Sequence, residues 1–187
     1  MPDILICAKG LTSGYIPLSA TLFRDELWDV MSSPKGGESV FAHGFTYSGH
    51  PVACAAALAN IGIMEREDTC AHVKTVGALF ERELAQLSDC PLVGDVRGRH
   101  LMLALELVAD KDTKQSFALS VGADKRIEAE CKKRGLIVRP HRNPGDLIVL
   151  SPPLAMTEAD AKWVAAVLRE SIEAAIAPII EEQPVHV

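Results

Sequence analysis

The sequence has no excess of basic residues, which argues against one broad class of function. Its 187 residues include 19 lysines and arginines against 25 aspartates and glutamates, so the formal net charge is −6 at pH 7. A general nucleic-acid binder normally carries a basic field. Basic residues do cluster between Lys132 and Arg142, but a solvated helix end followed by a loop explains most of that cluster. We therefore expect no nucleic-acid partner.

Long apolar runs and a secretory leader are lacking as well. No apolar stretch reaches the ~20 residues that a helix needs to span a bilayer. The opening Met1-Pro2-Asp3 has no basic segment, and the apolar run behind it is too short for a signal peptide. We therefore expect no membrane partner.

Cysteine is sparse and irregularly placed. The five cysteines are odd in number, form no Cys-x-x-Cys pair and lie scattered at Cys7, Cys54, Cys70, Cys90 and Cys131. This spacing argues against both a disulfide framework and a zinc site. The six histidines show no ligand spacing either. We expect free thiols, a reducing cytoplasmic location and no metal site.

What the chain does contain is an alternation of apolar and amphipathic segments. These predict strands over residues 3–8, 18–23, 93–97, 101–108, 136–139 and 147–150, and helices over 24–31, 52–64, 69–88, 124–133 and 157–177. Asp124 is expected to cap the fourth helix and Gly135 to end it. Asn143-Pro144-Gly145-Asp146 is expected to form a turn between the last two strands. Thr157 with Asp160 forms a capping box that opens the last helix, which should end before Pro178. The alternation indicates an α/β or α+β class. A shift of composition after the alanine-rich helix predicts two domains, 1–67 and 68–187.

Lys9 stands directly behind the apolar run Ile4-Leu5-Ile6 and opens a loop with two glycines and a proline. A lysine is seldom buried without a partner, and desolvation lowers its pKa toward a neutral, nucleophilic amine. A Schiff-base lysine needs such an environment. On local sequence alone, a lysine that simply reaches solvent is the commoner alternative.

Three segments point to one family when they are taken together. They are Pro2 to Leu11 with Gly14-Tyr15-Ile16-Pro17-Leu18-Ser19-Ala20, then His43 to Pro51 before the alanine-rich helix, and finally Gly135 to Arg139 with Ser151-Pro152-Pro153-Leu154. Their order and spacing resemble the C-terminal half of the class III (ω-type) aminotransferases, which are pyridoxal-phosphate enzymes of fold type I. The resemblance implies that residues 1–67 end the large cofactor domain and that 68–187 form a small α+β domain.

The resemblance also implies roles for three residues. Lys9 would hold pyridoxal 5′-phosphate as an internal aldimine and then move a proton between the substrate Cα and the cofactor C4′. Thr46 would bind the cofactor phosphate across the interface of a homodimer; the alternative is that Thr46, with Ser48 and Gly49, only caps the helix that follows. Arg139 would grip a substrate carboxylate, with a surface arginine at a strand end as the alternative.

The activity implied is transfer of an amino group from an ω-amino acid or amine to a keto acid. Members of the family carry a long segment before the lysine, with a phosphate loop, a ring-stacking aromatic residue and an aspartate at the pyridine nitrogen. We therefore expect the chain to be a C-terminal part that is inactive as a transaminase by itself. An aminomutase or decarboxylase of the same fold, and a non-catalytic truncated protein or interaction module, remain as alternatives.

Overall fold

The computed structural model describes residues 2–32, 41, 43–44, 46–141 and 146–182. Its contacts divide the chain into two compact units, residues 1–68 and 69–187, which we call the first unit and the second unit. The division predicted from composition lies one residue away.

In its described residues, the first unit contains two strands and two α-helices. Strand β1 (Ile4–Ala8) pairs antiparallel with β2 (Ser19–Phe23), with Ile4 opposite Phe23 and Ala8 opposite Ser19. A 3₁₀-helical turn follows β1, and a short helix α1 (Asp25–Ser32) follows β2. Helix α2 (Pro51–Arg66) begins with proline at its first position, where the missing N–H costs no hydrogen bond, and its alanines favour the helical backbone.

Very little of the first unit is buried. Among its described residues only Thr12, Ala53 and Ala57 are buried. Its large exposed apolar side chains include Ile4, Leu5, Ile6, Tyr15, Leu22, Trp28, Val30, Phe41, Tyr47, Val52, Leu58, Ile61 and Ile63. An apolar surface on this scale is typical of a face that another protein segment covers.

Within the described residues of the second unit there are a four-stranded antiparallel sheet and three α-helices. Its elements are α3 (Thr69–Ala85), β3 (Val93–Arg99), β4 (Met102–Leu107), α4 (Ala123–Lys133), β5 (Arg139–His141), β6 (Leu147–Leu150) and α5 (Glu158–Glu182). The strand order is β3-β4-β6-β5. Alternate residues of β4, namely Leu103, Leu105 and Leu107, are buried, as expected for a sheet with one covered face. They join one core cluster with side chains of α3 and α5.

Helix α4 departs from its predicted start but ends as predicted. Asp124 is not the cap: Gly122, in a left-handed conformation, holds that position, and Asp124 is buried in the first turn. At the other end the N–H of Gly135 donates to the Lys132 carbonyl and the N–H of Leu136 to the Cys131 carbonyl. This pair of bonds is a Schellman motif around a glycine at φ 84°.

The same motif explains why the strand predicted over 136–139 is wrong in its first three residues. The Leu136 N–H is used to end the helix, so the strand β5 begins only at Arg139. The turn predicted between β5 and β6 falls mostly on residues 142–145, outside the described residues.

Helix α5 begins as predicted and ends later than predicted. The Asp160 N–H donates to the Thr157 hydroxyl at 3.1 Å, and the Thr157 N–H donates to the Asp160 carboxylate at 2.9 Å. The capping box is therefore confirmed. The predicted end before Pro178 is wrong, because the helix continues to Glu182. Ile179, one residue beyond the proline, is fully buried in the core, and this packing outweighs the backbone hydrogen bond that proline removes.

In the part of the chain that the structure describes, no helix is long and apolar enough to cross a membrane.

Candidate functional site

Lys9 lies where β1 ends and the 3₁₀-helical turn begins. Its backbone is left-handed, with φ 54°. A non-glycine residue in this region costs about 1–2 kcal/mol, and such strain collects at functional sites. Lys9 is exposed, so this chain taken alone shows the commoner, solvent-reaching alternative and not the desolvated environment that a Schiff-base lysine needs. The reason is that β1 itself is mostly exposed, so that its end offers little cover to the lysine.

The backbone after Lys9 folds into a tight loop, residues 9–16, which we call the Lys9 turn. The Gly14 N–H donates back to the Lys9 carbonyl at 3.2 Å, and Gly14 takes a left-handed φ of 78°. Thr12 is only 2 % exposed, and its hydroxyl donates to the Ile16 carbonyl at 2.6 Å. Gly14 thus permits the tight turn because a glycine adopts positive φ without strain. Lys9 has the same left-handed backbone conformation although it is not a glycine.

A side chain of α2 reaches this turn. The Asn60 amide nitrogen donates to the Gly10 carbonyl at 2.9 Å and to the Leu11 carbonyl at 3.2 Å. Sequence reasoning missed Asn60. The available signal was a single amide side chain within an alanine-rich helix, where asparagine is a poorer helix former than its neighbours.

Thr46 lies in the turn of residues 46–49 that precedes α2, and it is exposed. His50 is the N-cap of α2 and makes no side-chain capping bond. The alternative role of Thr46 as a helix cap is therefore wrong. Because the first N–H groups of a helix lack partners within the helix, the end of α2 beside Thr46 suits an anion such as a phosphate.

Thr46 and Lys9 are associated with different parts of α2. Thr46 precedes its N-terminal end, whereas the Lys9 turn contacts the helix at Asn60. Asn60 lies nine residues after Pro51, which is about 14 Å along the helix axis at 1.5 Å per residue. The structure therefore does not bring the two predicted site residues together around one end of this helix.

Arg139 lies in the second unit and opens β5, where it is paired with Val149. Its side chain is exposed, and it borders a groove of about 530 Å³ whose apolar lining includes Val138, Leu150 and Trp163. In the described part of the chain Arg139 forms no ion pair. A guanidinium beside an apolar groove can hold a carboxylate while the groove takes the carbon skeleton of a ligand.

The other basic residues near Arg139 have a structural role. The Glu130 carboxylate lies 2.5 Å from the Lys133 ammonium and 2.7 Å from the Arg134 guanidinium. These two hydrogen bonds, first from Lys133 and then from Arg134, lower the pKa of Glu130. Lys133 and Arg134 therefore belong to the solvated end of α4, as the sequence predicted, and differ in this from Arg139.

Comparison with known proteins gives a consistent result along nearly the whole chain. The family model for aminotransferase class-III matches residues 1–172. The adenosylmethionine-8-amino-7-oxononanoate aminotransferase of Methanocaldococcus jannaschii is 39% identical over 174 residues, which are 93% of this chain and 37% of that protein. A probable mitochondrial gamma-aminobutyrate transaminase 2 of Oryza sativa subsp. indica is 38% identical over 92% of this chain and 34% of its own length. The chain thus spans little more than a third of these relatives.

Solved structures agree with the sequence comparison. A PLP-bound amine transaminase from an uncultivated Pseudomonas species superposes with a TM-score of 0.82 at 44% identity, over 95% of this chain and 39% of that one. The predicted α/β fold of the fold type I pyridoxal-phosphate transferases is confirmed by neighbours of this kind. On the family match and on these relatives, the chain belongs to the class III aminotransferases.

Proposed function

We propose that this chain is the lysine-bearing part of a pyridoxal-phosphate-dependent transaminase, which transfers an amino group from an ω-amino acid or amine to a keto acid. The single observation that carries the proposal is Lys9, held in a left-handed turn at the end of β1 in a chain of this family. An exposed amine on a defined turn is free to meet a ligand, and backbone strain of this kind is retained where function requires it.

Lys9 is the proposed catalytic residue and cofactor anchor. Its amine would hold the cofactor through the aldehyde carbon, with release of one water, and once freed it would accept the proton from the substrate Cα and return it at the cofactor C4′. The bound cofactor supplies an electron sink for the electrons of the broken Cα–H bond. The protein has to orient the amine of Lys9 toward the reacting carbon and to keep it there.

Thr46 is the proposed phosphate ligand, acting on the cofactor of the other subunit in a homodimer. Two observations support this. The turn containing Thr46 leads into the N-terminus of α2, where an anion is favoured. The Lys9 turn contacts the same helix about 14 Å further along, so that a Thr46 from a second subunit is better suited to the site than the one in the same chain.

Arg139 is the proposed substrate residue. Its exposed guanidinium borders an apolar groove and is not occupied by the acidic residues that hold Lys133 and Arg134. A planar guanidinium accepts a carboxylate through two parallel hydrogen bonds. This arrangement fits a substrate that carries a carboxylate on a carbon chain.

The two predicted domains enter the proposal as well. Residues 1–67 form the end of a large cofactor domain, and residues 68–187 form a small α+β domain. The exposed apolar side chains of the first unit support this, since such surface is normally covered. Without a protein segment to cover this surface, the 187-residue chain is not expected to act as a transaminase.

The five free thiols fit a reducing compartment, for which we propose the cytoplasm.

The proposal is tested on the full polypeptide that carries this sequence. It is incubated with pyridoxal 5′-phosphate, reduced with borohydride, digested and analysed by mass spectrometry. We expect a pyridoxyl group on Lys9 and its loss in Lys9→Ala, whereas Lys74→Ala, which removes an exposed lysine of α3, leaves the label in place.

Three results would contradict the proposal. The first is label spread evenly over the nine lysines of the chain; the second is a Lys9-labelled protein that moves no amino group between amines and keto acids. In the second case, release of carbon dioxide or migration of an amino group within one substrate would indicate a decarboxylase or an aminomutase. The third is a protein that stays colourless with the cofactor, which would indicate a non-catalytic module.

A further inference from the structure

The side chain of Asn60 joins helix α2 to the Lys9 turn through hydrogen bonds. We propose that Asn60 is a positioning residue for Lys9, which it keeps in place by holding the carbonyl groups of Gly10 and Leu11 with its amide. This inference rests on the proposed function of Lys9 and assigns a further residue to the same site.

The hydrogen-bond geometry determines how the amide of Asn60 is oriented. Its nitrogen lies 2.9 Å from the Gly10 carbonyl oxygen and 3.2 Å from the Leu11 carbonyl oxygen. An amide NH₂ has two hydrogens, one for each carbonyl oxygen; the nitrogen also lies 3.7 Å from the sulfur of Met64, a weak acceptor. The opposite orientation would place the amide oxygen against two carbonyl oxygens and is therefore excluded. One side chain thus fixes two successive peptide groups directly after Lys9.

These two peptide groups decide the course of the Lys9 turn. Rotation of either would break the return of the chain to the Gly14 N–H, which donates to the Lys9 carbonyl. Lys9 and Ser13 are both left-handed without being glycine, at φ 54° and φ 52°. A short turn with two such residues needs outside contacts to persist. Within the turn itself only Thr12 is buried, so Asn60 supplies a contact that the turn lacks.

Helix α2 is a suitable base for this contact. It has 16 residues, and Asn60 lies in its interior with helical backbone on both sides. Its position is therefore set by the helix, and a residue on a regular element positions a site more sharply than a residue on a loop. A substitution of Asn60 should accordingly change the turn while leaving α2 intact.

The test compares three variants of the full polypeptide. Asn60→Ala removes the two donors. Asn60→Asp keeps the shape of the side chain but replaces the donors with acceptors. Ala59→Asp is the matched control, because it places the same charge on a neighbouring exposed position of α2.

The first measurement is amide hydrogen exchange and needs no cofactor. Ser13, Gly14 and Tyr15 donate to carbonyls within the Lys9 turn, so their exchange reports its opening. We expect about tenfold faster exchange of these three amides in Asn60→Ala and Asn60→Asp, from the loss of two hydrogen bonds of ordinary strength. Ala59→Asp should leave them unchanged. Unchanged exchange in both Asn60 variants would overturn the proposal.

The second measurement is the visible absorbance of the bound cofactor as a function of pH. A role limited to stability would lower the unfolding midpoint without moving this titration. Positioning of the Lys9 amine predicts a shifted titration midpoint and less pyridoxyl label on Lys9 in both Asn60 variants, but not in Ala59→Asp.

The outcomes separate the two proposals. A parent protein that labels at Lys9, with variants that label and titrate equally, overturns the role of Asn60 and leaves the proposed function standing. A parent that does not label at Lys9 overturns the proposed function, and the positioning role falls with it.

Discussion

The two units of this chain differ in where their apolar side chains lie. In the second unit, the alternate residues of β4 and the inner sides of α3 and α5 form one buried cluster. In the first unit, β1 shows the opposite arrangement, with Ile4, Leu5 and Ile6 all exposed. Both units have regular secondary structure and similar numbers of apolar residues per element. Secondary structure alone therefore does not make a core; a second layer is needed to cover the first.

The difference also separates the candidate site residues. Arg139 lies on a unit that has its own core, whereas Lys9 and Thr46 lie on the unit whose surface is incompletely covered. The second unit is accordingly expected to unfold at a higher denaturant concentration than the first. Each unit contains one of the two tryptophans, Trp28 and Trp163. Versions that keep only one of them report the unfolding of each unit separately.

The largest expected effect comes from a core truncation. Phe80→Ala removes a side chain that is 0 % exposed and should destabilise the second unit by about 3–5 kcal/mol. Ile6→Ala removes one that is 72 % exposed and should change the stability of the first unit by less than about 0.5 kcal/mol. Urea unfolding followed by Trp163 and Trp28 fluorescence measures the two effects.

A large loss of stability of the first unit in Ile6→Ala, measured on the isolated chain, would contradict this difference between the two units. It would mean that β1 is covered in solution, for instance by a second copy of the chain. In that case the unfolding midpoint of Trp28 would depend on protein concentration.

The next effect comes from a glycine with no room for a side chain. A Cβ at Gly98 would lie 2.1 Å from the Met102 carbonyl oxygen, and the φ of 127° is unsuited to other residues. Gly98→Ala should destabilise the second unit by about 3 kcal/mol. In the first unit, a Cβ at Gly62 meets nothing within 4 Å, and Gly62→Ala should slightly stabilise α2. Equal stability of the two variants in thermal unfolding would contradict this contrast.

How much of the fold was predictable depends on whether its signals are local. The capping box of Thr157 and Asp160 and the glycine that ends α4 are local, and both were predicted correctly. Helix α5 passes Pro178 because Ile179 is buried in the core, and no local pattern contains that information. Asp124 was misassigned as a cap because the left-handed Gly122 takes that position.

The candidate site was predictable to a different degree. Lys9, Thr46 and Arg139 were found from the order of the family motifs, and their roles remain predictions. Local sequence leaves both a desolvated and a solvent-exposed Lys9 open, because the surroundings of a strand end depend on which elements cover it. Asn60 was not found. Its contact joins residues 49 or more positions apart, and a lone asparagine in a helix gives no sign of its partner.

A smaller effect concerns how helices begin in the two units. Helix α5 has the capping box, whereas α2 begins at His50 without a side-chain cap. Thr157→Ala should therefore destabilise the second unit by about 1 kcal/mol. A change of His50 to alanine removes no capping bond, so a loss of similar size there would contradict the contrast.

The capping box also makes a prediction about pH. The hydrogen bonds from the Thr157 hydroxyl and backbone N–H lower the pKa of Asp160. Its ionised form is favoured in the folded state, so its contribution to stability is present above the unfolded pKa and is lost as the pH falls through the lowered folded pKa. Asp160→Asn should therefore differ from the parent at neutral pH and converge with it in acid. A difference that stays constant down to the lowest accessible pH would count against this account.

The smallest effect tests the strain at Lys9 against a comparable residue of the second unit. Lys9→Gly and Lys9→Ala both remove the amine, but only glycine adopts φ 54° without cost. Relief of about 1–2 kcal/mol of strain is partly offset by the greater entropy of glycine in the unfolded chain, so Lys9→Gly should be more stable than Lys9→Ala by about 0.5–1 kcal/mol.

His100 of the second unit is also left-handed, at φ 52°; its N–H donates to the Glu81 carboxylate at 2.5 Å, and its side chain lies near that carboxylate. His100→Gly should therefore also be more stable than His100→Ala, since the surrounding contacts hold that backbone in the left-handed region whichever residue replaces the histidine. Urea unfolding with Trp28 and Trp163 as reporters measures both pairs, and equal stability of the two Lys9 variants would show that the turn relaxes once the lysine is gone.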